Sequence, residues 1–315
     1  MESKVTKNTE APVITTYTYN PLNQLISSIT AEGTTSQETT NVSYTYDLNG
    51  NQIRQSDIVT GEVTEYEYNI DGQLILASKQ KDGEAVFTQA NTYNGDGQRI
   101  QKVDNGQVTN YYYQDEELLY TTDVDSKLRS FYYEGLSDNV MSTMAYVGDK
   151  ATFYVYNKDI HGSITNLING NGESVKGYAY DDFGTSISFG YSSVKNELTY
   201  TSAVYDEITG LYYLNARYYD SGTGRFLLQD SFRGDAKDEK TWNLYTYSAN
   251  DPINYVDPSG HFWETIFDIL GGADSLNDFC NNPSWESAGY AFIDTAAIFL
   301  PFCLEQMVQE KVWLL

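Results

Sequence analysis

Tyrosines two positions apart open a series of short alternating segments between Tyr17 and Phe189 of this chain. In most copies the second tyrosine is followed by Asp or Asn, then by a short stretch with Gly or Asn, and then by an apolar run. Side chains at i and i+2 of a strand lie on one face, so the paired tyrosines are expected to share a face. Asx–Gly pairs such as Asp71-Gly72 and Asp96-Gly97 supply the positive φ of a tight turn. Each copy therefore predicts one β-hairpin, with a return strand such as Gln73-Leu74-Ile75-Leu76 that alternates between two faces.

The hairpin pattern recurs at short and nearly regular intervals along the chain. The second tyrosines of the six clear copies are Tyr19, Tyr46, Tyr68, Tyr93, Tyr156 and Tyr180. Two degenerate copies are anchored near Tyr113 and Tyr133. A single hairpin is only marginally stable in water, so the copies are expected to pair edge to edge and to bury their tyrosines jointly. The sequence predicts an all-β spiral of hairpins in which the repeated tyrosines and aspartates are scaffold.

The composition argues against a disordered chain, a nucleic-acid-binding protein and a metal- or cofactor-dependent enzyme. The chain of 315 residues has 29 tyrosines, 24 glycines and only 6 prolines, which favours a turn-rich β-structure over a disordered chain. Lys and Arg number 19 against 44 Asp and Glu, a net charge of -25, so the surface repels phosphate backbones and nucleic acid is not an expected partner. The chain has 2 cysteines and 2 histidines, and it lacks Gly-x-Ser-x-Gly, P-loop and dinucleotide motifs. No metal and no cofactor are predicted.

The repeat resembles the YD repeat of the RHS family, which is related to the shells of teneurins and of the C component of insecticidal toxin complexes. The segment VYDEITGLYYLNARYYDSGTGRFLLQD, continued by WNLYTYSANDPINYVDPSG, is similar to the RHS-associated core. The resemblance covers residues 15–260 and implies a partial β-shell of YD-repeat hairpins, plugged by the core, around a C-terminal cargo. It divides the chain into a disordered lead (1–14), a YD-repeat shell segment (15–190), the core (191–260) and a short α-helical tail (261–315).

The same resemblance implies an aspartic-type self-cleaving site in the core. Three positions match the proposed catalytic set of the family: Arg217 in NARYYD, Asp230 in LLQD and Asp257 in VDPSG. Two neighbouring carboxylates cannot both ionise, so one would hold a proton and polarise the scissile carbonyl while the other activates water. An arginine would orient the charged carboxylate. The family pattern places the cut at the bond between His261 and Phe262, and no site that acts on other molecules is predicted.

Two positions near this site depart from the family pattern. Ser231 follows Asp230 where the family has Pro, and His261 precedes the cut where the family has Leu. The interval from Asp230 to Asp257 is also longer than in the family, and the excess falls in the polar segment SFRGDAKDEKT. The sequence leaves two alternatives open, a core that cleaves itself and a core that folds without cutting.

The composition changes after Gly260. HFWETIFDIL, residues 261–270, has apolar residues at helical spacing and ends at two glycines. The apolar stretch 288–304 is short and contains Asp294, which favours a buried helix over a membrane span. The tail has no cluster of catalytic residues, and it resembles a truncated pre-toxin linker, which argues against a toxin enzyme within this chain.

The preferred hypothesis is a structural shell segment that encapsulates and presents a C-terminal variable toxin tail, with self-cleavage after His261. The alternative is a wall-associated YD-repeat module that binds glycans or other cells. The expected partners are the remaining shell or upstream YD repeats and, for the alternative, a carbohydrate or cell surface. The first residues contain no apolar signal segment. A secreted or cell-surface location would then need an export route not encoded in this chain.

Overall fold

A computed structural model describes residues 2–7, 12–32, 38–114, 117–135, 140–191, 194–234, 239–261 and 264–265. Strands dominate these residues, which confirms the predicted all-β class. The helical tail predicted for 261–315 lies outside the described residues, apart from 261 and 264–265. Among the residues that the structure describes, no helix is both long and apolar enough to cross a membrane.

Within the described residues, one large sheet contains 17 strands, and each strand pairs antiparallel with the next strand along the chain. The strands are β1 (Glu2–Lys7), β2 (Pro12–Tyr19), β3 (Leu25–Glu32), β4 (Glu38–Tyr46), β5 (Gln52–Asp57), β6 (Glu62–Tyr68), β7 (Leu74–Lys81), β8 (Glu84–Tyr93), β9 (Arg99–Asp104), β10 (Gln107–Gln114), β11 (Glu117–Thr122), β12 (Leu128–Glu134), β13 (Val140–Val147), β14 (Lys150–Lys158), β15 (Ile164–Asn169), β16 (Ser174–Tyr180) and β17 (Ser186–Gly190). The first strand pairs with β2 over residues that the sequence assigns to a disordered lead.

The Asx residue after each second tyrosine builds the hairpin turn. In the turn between β6 and β7, Asn69 Oδ1 accepts hydrogen bonds from the backbone N–H groups of Asp71 at 3.1 Å and Gln73 at 2.9 Å. Gly72 then takes the left-handed conformation, with φ of 79°. Asx oxygens accept the same two backbone bonds in the turns that begin at Asn20, Asp47, Asn94, Asp159 and Asp181. The predicted turns are therefore confirmed, and a side chain replaces water as the partner of two backbone donors.

In five copies the second tyrosine joins its hairpin to the preceding one. The Tyr68 hydroxyl donates at 2.9 Å to the carbonyl oxygen of Gln52, which begins the neighbouring strand β5. The equivalent bonds run from Tyr46 to Leu25, from Tyr93 to Leu74, from Tyr113 to Arg99 and from Tyr180 to Ile164. The carbonyls that accept them belong to the first residues of return strands. These tyrosines thus satisfy backbone groups that the strand ladder leaves open.

Replacing Tyr68 by Phe tests this role. The ring still fills its place, but the Gln52 carbonyl loses a partner in a half-buried site, so we expect the free energy of unfolding to fall by about 1 kcal/mol. Urea unfolding measures the change. Tyr133, whose ring is exposed, provides the control, since Tyr133→Phe should shift the midpoint much less. Equal effects of the two substitutions would contradict the assigned role.

Many of the second tyrosines also lie at a β-bulge, although β16, which ends at Tyr180, pairs with β17 without a shift in register. At five of the hairpins the strand register shifts by one residue at that tyrosine: Tyr19, Tyr46, Tyr68, Tyr93 and Tyr113. The bulge changes the spacing of buried residues in the return strand. Its first and fourth residues are buried, as with Leu74 and Ala77 in β7. The predicted strict alternation of Gln73-Leu74-Ile75-Leu76 is therefore wrong, because an extra residue moves the strand from one face to the other. A bulge also bends the sheet locally.

The core segment forms a second sheet that packs on the tyrosine face of the first. Its strands are β18 (Val204–Asp206), β19 (Leu211–Leu214), β20 (Arg217–Asp220) and β21 (Arg225–Phe226). A separate two-stranded sheet pairs β22 (Tyr255–Val256) with β23 (Glu264–Thr265). Short 3₁₀ segments lie at Tyr200–Ser202, Glu239–Trp242 and Ser248–Asn250. Tyr213 and Tyr218 share one hydrophobic cluster with Tyr66, Tyr111 and Tyr156 of the large sheet. The core thus fills the face on which the repeat places its tyrosines.

A buried ion cluster fastens the two sheets together. Arg99 and Lys102 of β9 reach Asp206, where Arg99 Nη1 lies 2.5 Å and Lys102 Nζ lies 2.9 Å from the carboxylate oxygens. Lys102 also contacts Glu197 at 3.2 Å, and the Arg99 guanidinium lies over the Tyr213 ring. Burial alone would raise the pKa of Asp206, but Arg99 and Lys102 hold that pKa well below its usual value. The carboxylate is therefore a buried anion whose charge depends on two cations of the other sheet.

Candidate functional site

Three side chains that the sequence analysis selected lie together in the core. Arg217 begins β20, Asp230 follows β21, and Asp257 follows β22. The Nη2 atom of Arg217 lies 2.7 Å from Asp230 Oδ2 and 3.4 Å from Asp257 Oδ2. One guanidinium nitrogen therefore contacts both carboxylates, although the two aspartates are distant in sequence.

The Arg217 guanidinium is held on every side. Its central carbon lies 3.6 Å from the centre of the Phe226 ring, and Nη1 donates to the Leu244 carbonyl at 3.2 Å. Nε donates to the carbonyl oxygen of Gly260. Burial lowers the pKa of Arg217, and the carboxylate of Asp230 opposes that shift. An arginine stays charged even so, which leaves a cation fixed between two carboxylates and two backbone carbonyls.

The two aspartates differ in their surroundings. The Asp257 side chain is 3% exposed and that of Asp230 is 14% exposed. Burial raises the pKa of Asp257 to about 6, while Arg217 and the backbone N–H groups of Gly260 and His261 oppose the rise. The shorter contact to Arg217 belongs to Asp230. Near neutral pH, Asp257 is therefore the carboxyl that can carry a proton, with Asp230 paired to the cation.

Residues 257–261 form a tight loop against the start of β20. Gly260 has φ of 74°, and a Cβ at that position would lie 2.5 Å from the Leu214 carbonyl oxygen, so only glycine fits. The Ala216 N–H donates to the Ser259 carbonyl at 3.2 Å. His261 is exposed, and its Nδ1 lies 3.4 Å from Ser231 Oγ, so the two positions that depart from the family pattern face each other. Phe262, the far side of the predicted cut, lies outside the described residues.

A small cavity opens at the carboxylates. Arg217, Asp230, Asp257 and His261 are among its lining residues, and its volume is about 30 Å³. That volume accommodates about one water molecule, and the polar groups around it could bind one. The site thus combines two carboxyl groups, a fixed cation and room for water beside a backbone loop.

Two further residues, Arg225 and His161, make structural contacts. Arg225 places its guanidinium over the rings of Tyr19 and Tyr245, at 5.1 and 5.3 Å. The Nε2 atom of His161 lies 3.0 Å from the Ile253 carbonyl oxygen, which joins a hairpin turn to the core. Within the described ranges, no group of His, Cys, Asp and Glu side chains could hold a metal ion.

Two parts of the site escaped the sequence analysis. Phe226, whose ring lies against the Arg217 guanidinium, carries no chemical signal of its own in the sequence. Gly260 was part of the cleavage motif, but its backbone contacts to Arg217 and Asp257 depend on the loop conformation. Nothing in residue type or spacing predicts those contacts, because they involve main-chain atoms.

A family model and two curated relatives match most of this chain. A family model described as Teneurin YD-shell matches residues 1–253. The tRNA nuclease WapA of Bacillus subtilis strain 168 is 36% identical over 254 residues, which are 79% of this chain and 10% of that protein. The tRNA3(Ser)-specific nuclease WapA of Bacillus spizizenii matches to the same extent. The chain therefore spans about a tenth of the length of these curated relatives.

A solved structure shares the fold. The crystal structure of TcdB2-TccC3-Cdc42 aligns with a TM-score of 0.50 and 19% sequence identity. The alignment covers 81% of this chain and 16% of that chain. At this level of identity the likeness concerns the fold alone.

Proposed function

Because this chain belongs to the teneurin YD-shell family, we propose that it forms the C-terminal part of a β-shell that encloses a variable tail and frees it by self-cleavage. The packing of the core on the tyrosine face of the large sheet supports a closing role for the core. Further shell strands of a longer protein are the proposed partners, since the matched part is about a tenth of the length of the relatives. By analogy with the nucleases among these relatives, the freed tail would belong to a toxin that acts outside the producing cell.

The contact of Arg217 with both aspartates is the main structural support for the proposed self-cleavage. The guanidinium lies between Asp230 and Asp257 and reaches the loop that would be cut. A merely structural arginine needs one carboxylate partner, whereas hydrolysis of a peptide needs an acid, a base and a group that stabilises the developing oxyanion. All three kinds of group meet here, next to a cavity that fits one water.

The proposed reaction is peptide hydrolysis. Asp230 takes a proton from water, and the water oxygen adds to the scissile carbonyl carbon. Asp257, protonated, gives its proton to the leaving nitrogen as the carbon–nitrogen bond breaks. The products are a new carboxyl end on the shell and a new amino end on the tail, and the proton gained by Asp230 returns to solvent or to Asp257.

Mass analysis of the purified chain tests this function. We expect a tail fragment that begins near residue 262 to accumulate on incubation, and Asp257→Asn to slow its formation by at least about 100-fold, since an amide cannot deliver the proton. The exposed Asp182 provides a matched control, because it is the same residue type and lies outside the residues that line the cavity. If the wild-type protein stays as intact as the Asp257→Asn variant, the proposed self-cleavage is wrong.

The rate of cleavage in the same incubation should depend on pH. The pKa of Asp257 is raised to about 6, so its protonated fraction grows as the pH falls through that value. Cleavage should therefore be faster at pH 5 than at pH 8. A rate that rises with pH would assign the acid role to another group.

The alternative of a glycan-binding module gains little support from the surface. The rings of Tyr112 and Tyr120 stack at 4.4 Å on the large sheet, and Phe131 continues the row. Rings that lie parallel on neighbouring strands cover each other's faces, which is the usual geometry of a cross-strand ladder. Within this row the ring faces thus pack against one another, and we retain the self-cleaving shell as the proposal.

A further inference from the structure

We infer that the open edge of β17 pairs with β17 of a second copy of this chain, which joins two copies through one continuous antiparallel sheet. Among the described residues, β16 is the one strand that pairs with β17, so one edge of β17 has no neighbouring strand. None of the residues of β17 lines the cavity at Asp230 and Asp257, and the pairing does not depend on cleavage.

The course of the chain leaves this edge open. Beyond β17, Asn196 lies on the tyrosine face of the sheet, where its Oδ1 accepts a hydrogen bond from the Tyr156 hydroxyl at 2.8 Å, and Leu198 joins the hydrophobic cluster there. Residues 194–200 therefore pack under the sheet and not beside it. Because each strand pairs with the next along the chain, any strands that a longer protein places before β1 extend the opposite end of the sheet.

The backbone of β17 presents donors and acceptors at its open edge. The Tyr191 N–H donates to a carbonyl of β16 at 2.8 Å, and the Thr185 carbonyl accepts from the residue after β16 at 3.0 Å. The C=O and N–H of one trans peptide point in opposite directions, so the Gly190 carbonyl and the Ser186 N–H point away from β16. Ser188 lies two positions from each, and its N–H and C=O point the same way.

The strand has none of the features that keep an edge from pairing. Natural edges are protected by charged side chains, by proline or by bulges. The sequence of β17, SISFG, has no charged residue and no proline, and the strand pairs with β16 without a register shift. Ile187 and Phe189 are 71% and 55% exposed. In a chain with a net charge of -25, this uncharged strand is a place where two copies can approach, and Lys176, opposite Gly190, adds a cation.

The strand is also complementary to itself. When Ser188 lies opposite Ser188 of the second copy in an antiparallel pair, Ser186 lies opposite Gly190 on both sides. Each of these pairs exchanges two N–H···O bonds, so the register forms about six. It also places Ile187 opposite Phe189 twice, and a β-branched residue opposite an aromatic one is a favourable cross-strand pair. One register therefore uses every outward backbone group and pairs the exposed apolar side chains.

Sedimentation velocity of the purified full chain tests the pairing. The solution contains reductant, so that neither of the 2 cysteines can link two chains, and physiological salt, which screens the repulsion between acidic copies. We expect a monomer–dimer equilibrium for the wild-type chain. Ile187→Lys removes both contacts with Phe189 and should raise the dissociation constant at least about tenfold. Ser188→Pro removes an outward N–H that the ladder to β16 does not use, and it should give a monomer at every concentration.

Ile58→Lys is the matched control for the edge substitutions. Ile58 lies in the turn between β5 and β6 and is 74% exposed, so the same change at this position should leave the dimer as stable as that of the wild type. A wild-type chain that is monomeric at every concentration would overturn the inference. A dimer that both edge substitutions leave unchanged would also overturn it.

Amide hydrogen exchange locates the interface within the strand. The Ser188 N–H points to the open edge, so it should exchange slowly in the wild-type dimer and fast in the Ile187→Lys monomer. The N–H groups of residues 187 and 189 point to β16 and should be protected in both samples. Equal exchange of the Ser188 N–H in the two samples would place the interface elsewhere and refute the pairing of β17 with itself.

Discussion

Asp206→Ala should lower the free energy of unfolding by about 3–5 kcal/mol. Arg99 and Asp206 are both 0% exposed, and Lys102 is 3% exposed, so the substitution leaves two cations buried without their shared anion. Breaking a buried ion pair on one side costs far more than the pair itself contributes, because water cannot replace the lost partner. Urea unfolding, followed by tyrosine fluorescence, measures the change.

The neighbouring Glu207 provides the matched control for Asp206. Glu207 lies 3.7 Å from Lys195, and both side chains are largely exposed, at 81% and 79%. Glu207→Ala should therefore change the free energy of unfolding by less than about 1 kcal/mol. If Asp206→Ala were as mild as this control, the ion cluster would not be what fastens the core to the repeat sheet.

Arg217→Lys should slow self-cleavage by about 100-fold to 1,000-fold, the usual result of removing one donor from an oxyanion hole. A lysine keeps the charge but lacks the planar fork, so a single ammonium group cannot contact both carboxylates and the Gly260 carbonyl. The rate is measured from the appearance of the tail fragment. Thermal unfolding of the same sample, followed by circular dichroism, establishes that the variant is folded.

Arg225→Lys is the control for this experiment. Arg225 lies in the same small sheet and stacks on two tyrosines, but it lies outside the residues that line the cavity at Asp230 and Asp257. We expect this variant to cleave at the wild-type rate. Cleavage that survives Arg217→Lys and is lost in Arg225→Lys would place the oxyanion-stabilising group elsewhere in the core.

Local chemistry made much of the fold predictable. A tyrosine pair followed by Asx and Gly specifies both the buried face and the turn, so hairpins such as the one around Asn69 follow from a few residues. The candidate site was predictable for a different reason. Arg217, Asp230 and Asp257 match a family motif, and residue types and spacing alone would not have paired two aspartates so distant in sequence.

The buried ion cluster was not predictable from the sequence pattern. Arg99 and Lys102 are three positions apart, and strict alternation would place them on opposite faces of β9. The bulge at Tyr93 adds a residue at the start of that strand, so both side chains reach the buried face. Their partner Asp206 is more than 100 positions away, and only the packing of the core brings it there.

The recurrent bulge at the second tyrosine has a consequence for how proteins of this kind grow. Since the irregularity recurs at five of the hairpins, an added copy that carries it contributes two strands together with a similar bend of the sheet. Duplication of one copy would enlarge the wall without requiring any change in the copies beside it. The internal capacity of such a container could therefore be adjusted by unequal recombination within the gene, in steps of one repeat.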